Sequence, residues 1–484
     1  MVKVAISRLA KGSLIYGLGG VLQRFIGLLL LPLFTRELST GEYGIIALIS
    51  LLSIALAGIF NLGTGNSMGI LYFRESAGSR RASIIWSTFA LLTVNSMLIY
   101  CVAYLAAPQL SMWMFQTADH QELVRLGLLS LAFGTMAEPW LAYLRMEERG
   151  WQYVSITIAV SLITAALSAW MLLVEHRGVS GFLAAGALGQ AILLLLSWTA
   201  VGRRLPFGID RTLFSPLVRI GVPSIWGLFA FMLIDYADRQ MIERMLGLDA
   251  LGIYSVGYSF GMVMLVAVGA FSSAWPPFFM SYVNRQHEAG PVFARVMTYY
   301  VLGFGALVLL FFLAAKPVAY ILTASAFHDA HLVVGLVAAA YALRGCYLIA
   351  LPGVYFANKL LLQSLIEWSA ALLNIGLNLW LLPRHGIVGG ALATFLSYLS
   401  LPVLAGLVSR NYLAVDYEWR RIIPGMAVVA LFCALGAWFS SAATLELADL
   451  VVVNLLIFAA FVVLTGTLLT TKSERAWMRA KLKV

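Results

Sequence analysis

Arg24 and Arg344 each interrupt a long apolar run, and no acidic residue lies close to either in sequence. A guanidinium in such a setting recognises phosphate or carboxylate through charge-assisted, often bidentate hydrogen bonds. A second group is Asp235, Asp238 and Arg239, in which Asp235 and Arg239 stand one helical turn apart on one face. Glu138 and Glu367 place further carboxyls inside apolar stretches, and Asn61, Asn66, Asn374 and Asn378 place amides there. Amides at such positions bind hydroxyl-rich ligands or tie helices together. The residue types therefore suggest an anionic, hydroxylated ligand held by Arg24, Arg344, Arg239 and the four asparagines. Asp235, Asp238, Glu138 and Glu367 are the candidates for groups that take up a coupling H+ or Na+. Each also has a structural reading. Asp235 and Arg239 can neutralise one another, Asp238 can cap or snorkel, and Glu138 and Glu367 can snorkel toward the nearer interface. Cys101, Cys346 and Cys433 all fall in apolar segments and read as small hydrophobes. The sequence has no G-x4-G-K-[ST] loop and no metal-ligand spacing, so no cofactor is expected.

The elements that position these groups follow from composition. Of the 484 residues, 61% are hydrophobic and 11% charged. A water-soluble domain keeps apolar content near half and charge near a quarter. With a mean hydropathy of +0.90, this chain has lipid as its solvent. The net charge of +10 does not imply nucleic acid, because the basic residues sit in short loops between apolar runs. The opening MVKVAISRLAKG runs into an apolar span with no small-residue cleavage site after it, and is expected to be retained as a first helix.

About fourteen spans are expected: 12–34, 43–66, 84–107, 123–144, 153–174, 181–201, 217–240, 250–275, 296–315, 332–356, 361–382, 387–409, 422–440 and 446–470. With both termini in the cytoplasm, 23 of the 32 lysines and arginines fall on the cytoplasmic side and 7 on the other, leaving Arg24 and Arg344 within spans. One missed helix would invert every later loop and destroy this segregation. Tryptophans, Trp140 and Trp275 among them, cluster near span ends, where interfacial belts are expected. The basic tail 471–484, with Trp477, is expected on the inner leaflet.

An internal repeat organises the spans. Arg36-Glu-Leu-Ser-Thr-Gly-Glu-Tyr-Gly44-Ile45 follows the first, and Arg244-Met-Leu-Gly-Leu-Asp-Ala-Leu-Gly252-Ile253 follows the seventh, an offset of 208 residues. Gly178-Val-Ser-Gly181 and Gly386-Ile-Val-Gly389 share that offset. The reading is an all-α polytopic membrane protein with an N-lobe at 1–205 and a C-lobe at 213–410, six helices each. Two further helices at 422–470 lie outside the repeat. Because six is even, both lobes enter from the same side, with a cavity between them.

Two stretches carry a resemblance. The first runs Gly12-Ser-Leu-Ile-Tyr-Gly17 through Gln-Arg24-Phe-Ile-Gly27 and Pro32 to Arg36-Glu-Leu-Ser-Thr-Gly-Glu-Tyr43-Gly44. The second is Asp238-Arg239-Gln-Met-Ile-Glu-Arg-Met-Leu-Gly247, continuing to Gly252-Ile-Tyr254-Ser255-Val-Gly-Tyr258. Both resemble the polysaccharide-export family of Wzx-type O-antigen flippases, within the multidrug/oligosaccharidyl-lipid/polysaccharide exporter superfamily. The resemblance implies a MATE-like, V-shaped pair of lobes in the bacterial inner membrane. It also implies ion-coupled alternating access and undecaprenyl-diphosphate-linked oligosaccharide (an O-antigen, capsule or exopolysaccharide repeat unit) as cargo. By position it places Arg24, Asp238 and Arg239 toward the cavity. A polysaccharide polymerase or other assembly protein is an expected partner. Alternatives are a lipid II-type flippase, a cation-coupled multidrug exporter and, more remotely, a membrane enzyme of polysaccharide assembly. Two buried arginines disfavour a cationic cargo, and the loops between spans are too short to house a catalytic domain.

Overall fold

The computed structural model describes residues 20, 22–23, 25–27, 29–75, 78–357, 359–441 and 446–468. Within these, the side chains of 66, 223–224, 226–236, 273, 277, 360, 441 and 468 are not described. Arg24, the tail 471–484 and the side chains of Asp235 and Asn66 therefore lie outside the description.

The described residues are helical with no strand. The helices are α1 (29–37), α2 (Thr40–Asn61), α3 (Thr64–Arg74), α4 (Ser79–Leu105), α5 (Ala107–Phe115), α6 (Gln121–Met146), α7 (Gly150–Leu173), α8 (Gly178–Ala200) and α9 (Phe214–Leu246). They continue as α10 (Leu248–Gly261), α11 (Met264–Met280), α12 (Gln286–Leu322), α13 (His331–Ala350), α14 (Pro352–Phe356), α15 (Leu360–Ser409), α16 (Trp419–Ser441) and α17 (Leu447–Leu468). Nine of the helices among the described residues are long and apolar enough to cross a membrane, or ten if the bent pair α10 and α11 forms one span. This is a multi-pass helical membrane protein. Every expected span after the first coincides with a helix or a bent pair, and α15 holds two of them because its backbone turns at Gly386 (φ 55°, ψ −142°). Two short helices were not expected. α3 extends the second span after a break at Leu62 and Gly63, both left-handed, and α5 occupies the loop between α4 and α6.

The chain packs as two compact units, Met1–Gly252 and Ile253–Val484. The division by packing falls after α9, whereas the repeat in sequence begins with it. In the first unit α6 packs on α8, α4 and α2, and α9 packs on α3 and α2. α2 starts with a capping box: Ser39 Oγ accepts from the Glu42 N–H, and the Glu42 carboxylate accepts from the Ser39 N–H at 2.9 Å. The core of this unit gathers around Trp140, which meets Trp86 edge-on at 4.9 Å and Phe89 at 4.8 Å. In the second unit α13 packs on α15 and α12, and α16 packs on α12 and α17. Trp275 is 3% exposed and donates from its ring nitrogen to the Leu348 carbonyl at 2.9 Å. Trp140 and Trp275 are thus core residues and not part of an interfacial belt. Their helix faces turn to other helices, and only faces turned to lipid sort tryptophan to an interface. Trp113, Trp151, Trp170, Trp380, Trp419 and Trp438 are exposed, as an interfacial position requires.

The structure gives the repeated glycines matching tasks. Gly178 and Gly386 are left-handed, with φ of +54° and +55°, a region that L-residues enter at a cost. Gly181 and Gly389 each let their helix close against the preceding one, on Met171 and Leu381. Gly44 lies against the backbone of Leu248, while Gly252 lies against the backbone of Thr40 and Gly44. The repeat-mates therefore form one reciprocal contact between α2 and the first residues of α10, and the Thr40 hydroxyl closes it by donating to the Asp249 carboxylate.

Candidate functional site

In the first unit, α2, α6 and α8 border an open cavity of about 300 Å3 whose wall carries several polar side chains. Ser53 and Asn61 come from α2, Ser130, Thr135 and Glu138 from α6, and Gln190 from α8. Small residues open the space: Gly127 touches Ile49 of α2, and a side chain at Gly134 would meet Gln190 Oε1 at 3.0 Å. Asn61 and Glu138, read from the sequence as a ligand contact and a coupling group, thus line one cavity.

The local bonding leaves much of this wall available. Ser53 and Thr135 donate to the carbonyls of Ile49 and Leu131, four residues earlier. Asn61 Oδ1 accepts from Thr64 at 3.1 Å, which ties the amide to the α2–α3 break. Ser130 and Gln190 make no hydrogen bond to other described residues, and sequence reasoning missed both. Polar groups within a membrane-spanning bundle stay there only where water, another helix or a ligand satisfies them. The void has room for about ten waters at ~30 Å3 each. Glu138 pairs with Arg145 further along α6, and Arg145 lies 5.4 Å from the Tyr153 ring centre. This carboxylate is held by a cation and is not snorkelling alone.

Toward the C-terminal end of α9, Asp238 is fully buried and Arg239 is 7% exposed, with Nη1 and Oδ1 3.8 Å apart. The next turn adds Gln240, which donates to Glu243 Oε2 at 3.0 Å and, at the limit of hydrogen-bond length, to the Met114 carbonyl of α5 at 3.5 Å. Arg244 donates to the Trp113 carbonyl at 3.3 Å. Glu243, itself 7% exposed, is a buried acid that the sequence reading quoted in its motif but did not single out. Its position four residues after Arg239 was the available signal.

The second unit separates the other candidates into two places. Glu367 of α15 is 5% exposed and accepts from the Tyr347 hydroxyl at 2.8 Å and the Gln363 amide at 2.9 Å. Arg344, half-buried on α13, acts electrostatically on the same Tyr347 and is engaged rather than bare. The structure therefore joins Arg344 and Glu367 through one tyrosine. Asn374 and Asn378 are both fully buried, and the Asn378 amide donates to the backbone and side-chain oxygens of Asn374, each at 3.0 Å. Asn374 Nδ2 and Asn378 Oδ1 remain without a hydrogen-bond partner among the described residues. The motif tyrosines of α10, Tyr254 and Tyr258, are fully buried, and the Tyr258 and Tyr341 hydroxyls lie 3.0 Å apart. These tyrosines build core. Among the described residues no three His, Cys, Asp or Glu side chains are placed to hold a metal.

Comparison with known proteins bears on the family and the fold. The sequence profile of a family described as "Polysaccharide biosynthesis protein" matches residues 9–283. The Lsg locus putative protein 1 of Haemophilus influenzae is 22% identical over 284 residues, which is 57% of this chain and 67% of that one. Among solved structures, the lipid II flippase MurJ in an inward closed conformation superposes with a TM-score of 0.69 at 12% identity, covering 95% of this chain and all of the other. An inward-facing MATE-family multidrug transporter of the MOP superfamily gives 0.65 at 13% identity, over 87% and 99%. The structural likenesses establish a shared fold.

Proposed function

Because this chain belongs to the family of polysaccharide biosynthesis proteins, we propose that it is a flippase for undecaprenyl-diphosphate-linked oligosaccharide. It carries an O-antigen, capsule or exopolysaccharide repeat unit from the cytoplasmic to the periplasmic leaflet of a bacterial inner membrane. Both of its termini are cytoplasmic, and it works beside other assembly proteins such as a polymerase. It is a transporter and makes or breaks no covalent bond. The observation that carries this reading is the polar cavity among α2, α6 and α8, whose Ser130 and Gln190 make no hydrogen bond to other described residues. Hydroxyl-rich cargo satisfies such a wall, and an apolar drug does not. Arg24, Arg344 and Arg239 supply positive charge for the diphosphate.

An anion moving outward is already favoured by an inside-negative potential, and a coupled gradient is needed to move the cargo against its own concentration gradient. Asp235, Asp238, Glu138 and Glu367 are the groups through which H+ or Na+ is coupled. Within the second unit, the Asn378 side-chain oxygen, without a hydrogen-bond partner among the described residues, supports a bound ion or water on α15. In proteoliposomes, flipping of a lipid-linked oligosaccharide is expected to accelerate at least severalfold when a proton or sodium gradient is imposed. A rate indifferent to both removes the coupling.

A lipid II-type cargo is the second reading, favoured by the fold shared with a lipid II flippase. The deciding experiment is a deletion strain. Lipid-linked oligosaccharide trapped on the cytoplasmic leaflet, released by restoring this chain, supports the proposal. Normal export of the glycan with failing peptidoglycan synthesis would move the cargo to lipid II.

A further inference from the structure

Two voids in the second unit share α12. One is a cavity of about 430 Å3 among α12, α13, α15 and α16, lined by apolar side chains such as Phe304, Val308, Met426 and Val429. The other is a cleft of about 1010 Å3 where the start of α12 meets the segment 410–418, with His287, Arg295, Tyr299, Asp416 and Glu418 on its wall. Val292 and Val296 line the cleft, and Tyr300 and Phe304 line the cavity. Those four residues recur every fourth position, so one stripe of α12 passes from the polar void into the apolar one. From Tyr300 to Phe312 the helix rises ~18 Å. One leaflet of a ~30 Å hydrocarbon core has about this depth. Ala430, Ala434 and Ala437 of α16 border the cavity and are themselves exposed, so it opens at the surface of this unit between apolar side chains.

The head end carries both signs. Arg295, whose side chain is 62% exposed, lies 3.6 Å from Glu418, and Glu418 also meets Arg421 at 3.0 Å. A prenyl diphosphate brings only negative charge and would face Asp416 and Glu418 as well as Arg295. A phosphoethanolamine head brings a phosphate for Arg295 and an ammonium for the two carboxylates.

The geometry points to a resident site for one phosphatidylethanolamine in the second unit, its head in the cleft and one acyl chain in the cavity along α12. This lipid is distinct from the transported cargo, and the inference stands whether or not the proposed cargo is correct.

The test is native mass spectrometry of the purified full chain, exposed to equal amounts of dioleoyl phosphatidylethanolamine, dioleoyl phosphatidylglycerol and undecaprenyl diphosphate. One phosphatidylethanolamine should be retained, at least fivefold over phosphatidylglycerol. Arg295→Glu, on the surface, and Ala430→Phe, which fills the cavity, should each lower that retention at least fivefold while keeping the wild-type melting temperature. Equal retention of the two phospholipids, preference for the prenyl diphosphate, or undiminished retention by both variants would overturn the assignment.

Discussion

At the scale of single residues, the charges in this bundle are arranged as shared constellations. Glu138 is joined to Arg145, and Glu367 receives a hydroxyl from Tyr347 on which Arg344 also acts. Charges within a membrane are retained where they are paired or functional, and at Glu138 pairing and placement in a cavity coincide. Gln190 tests the cavity most directly because it makes no hydrogen bond to another described residue. Gln190→Leu is expected to slow translocation about 3–10-fold, equivalent to one hydrogen bond of ~0.5–1.5 kcal/mol, with unchanged melting temperature. Translocation at the wild-type rate would remove the cavity from the transport path. Arg24 is judged from sequence alone. Arg24→Ala should cut flipping by about 10–100-fold, the value of a charged hydrogen bond of ~1.5–3 kcal/mol, and Arg24→Lys by less. Equal rates in all three proteins would dismiss it as a diphosphate contact.

At the scale of elements, the spans were legible because a bilayer demands ~20 apolar residues per crossing and allows few other structures. Breaks within them were not. Leu62 enters the left-handed region with nothing in its side chain to announce it, so α3 was missed. Nor does hydropathy give the direction a face points, which is why Trp140 and Trp275 were assigned to interfaces. The glycine turns were legible from the repeat. Gly386 folds α15 between two spans, and no neighbour lies within 4 Å of where its side chain would be. Gly386→Ala therefore meets no clash and isolates the backbone term. A loss of ~1–2 kcal/mol in stability is expected, read as a lower melting temperature in detergent. No change would mean that the turn relaxes out of the left-handed region.

At the scale of the whole molecule, composition and loop charge identified the solvent, and the motifs identified the family. Side-chain partnerships across helices could not be read, since they join residues far apart in the chain. Tyr258 with Tyr341 and Tyr347 with Glu367 are examples. The repeat alone reached beyond single helices, because a duplicated chain keeps the same spacing wherever the same contact must be made twice.

The meeting of Gly44 with Gly252 has a genetic corollary. Each glycine presses its bare α-carbon on the backbone of the other segment, so a side chain at either one must push the two helices apart. A first methyl wedges the two helices apart and leaves spare room for a second. Gly44→Ala and Gly252→Ala should each weaken the protein, and the paired change should do less harm than their sum. Strict additivity in thermal denaturation would show that the two positions drift independently after all.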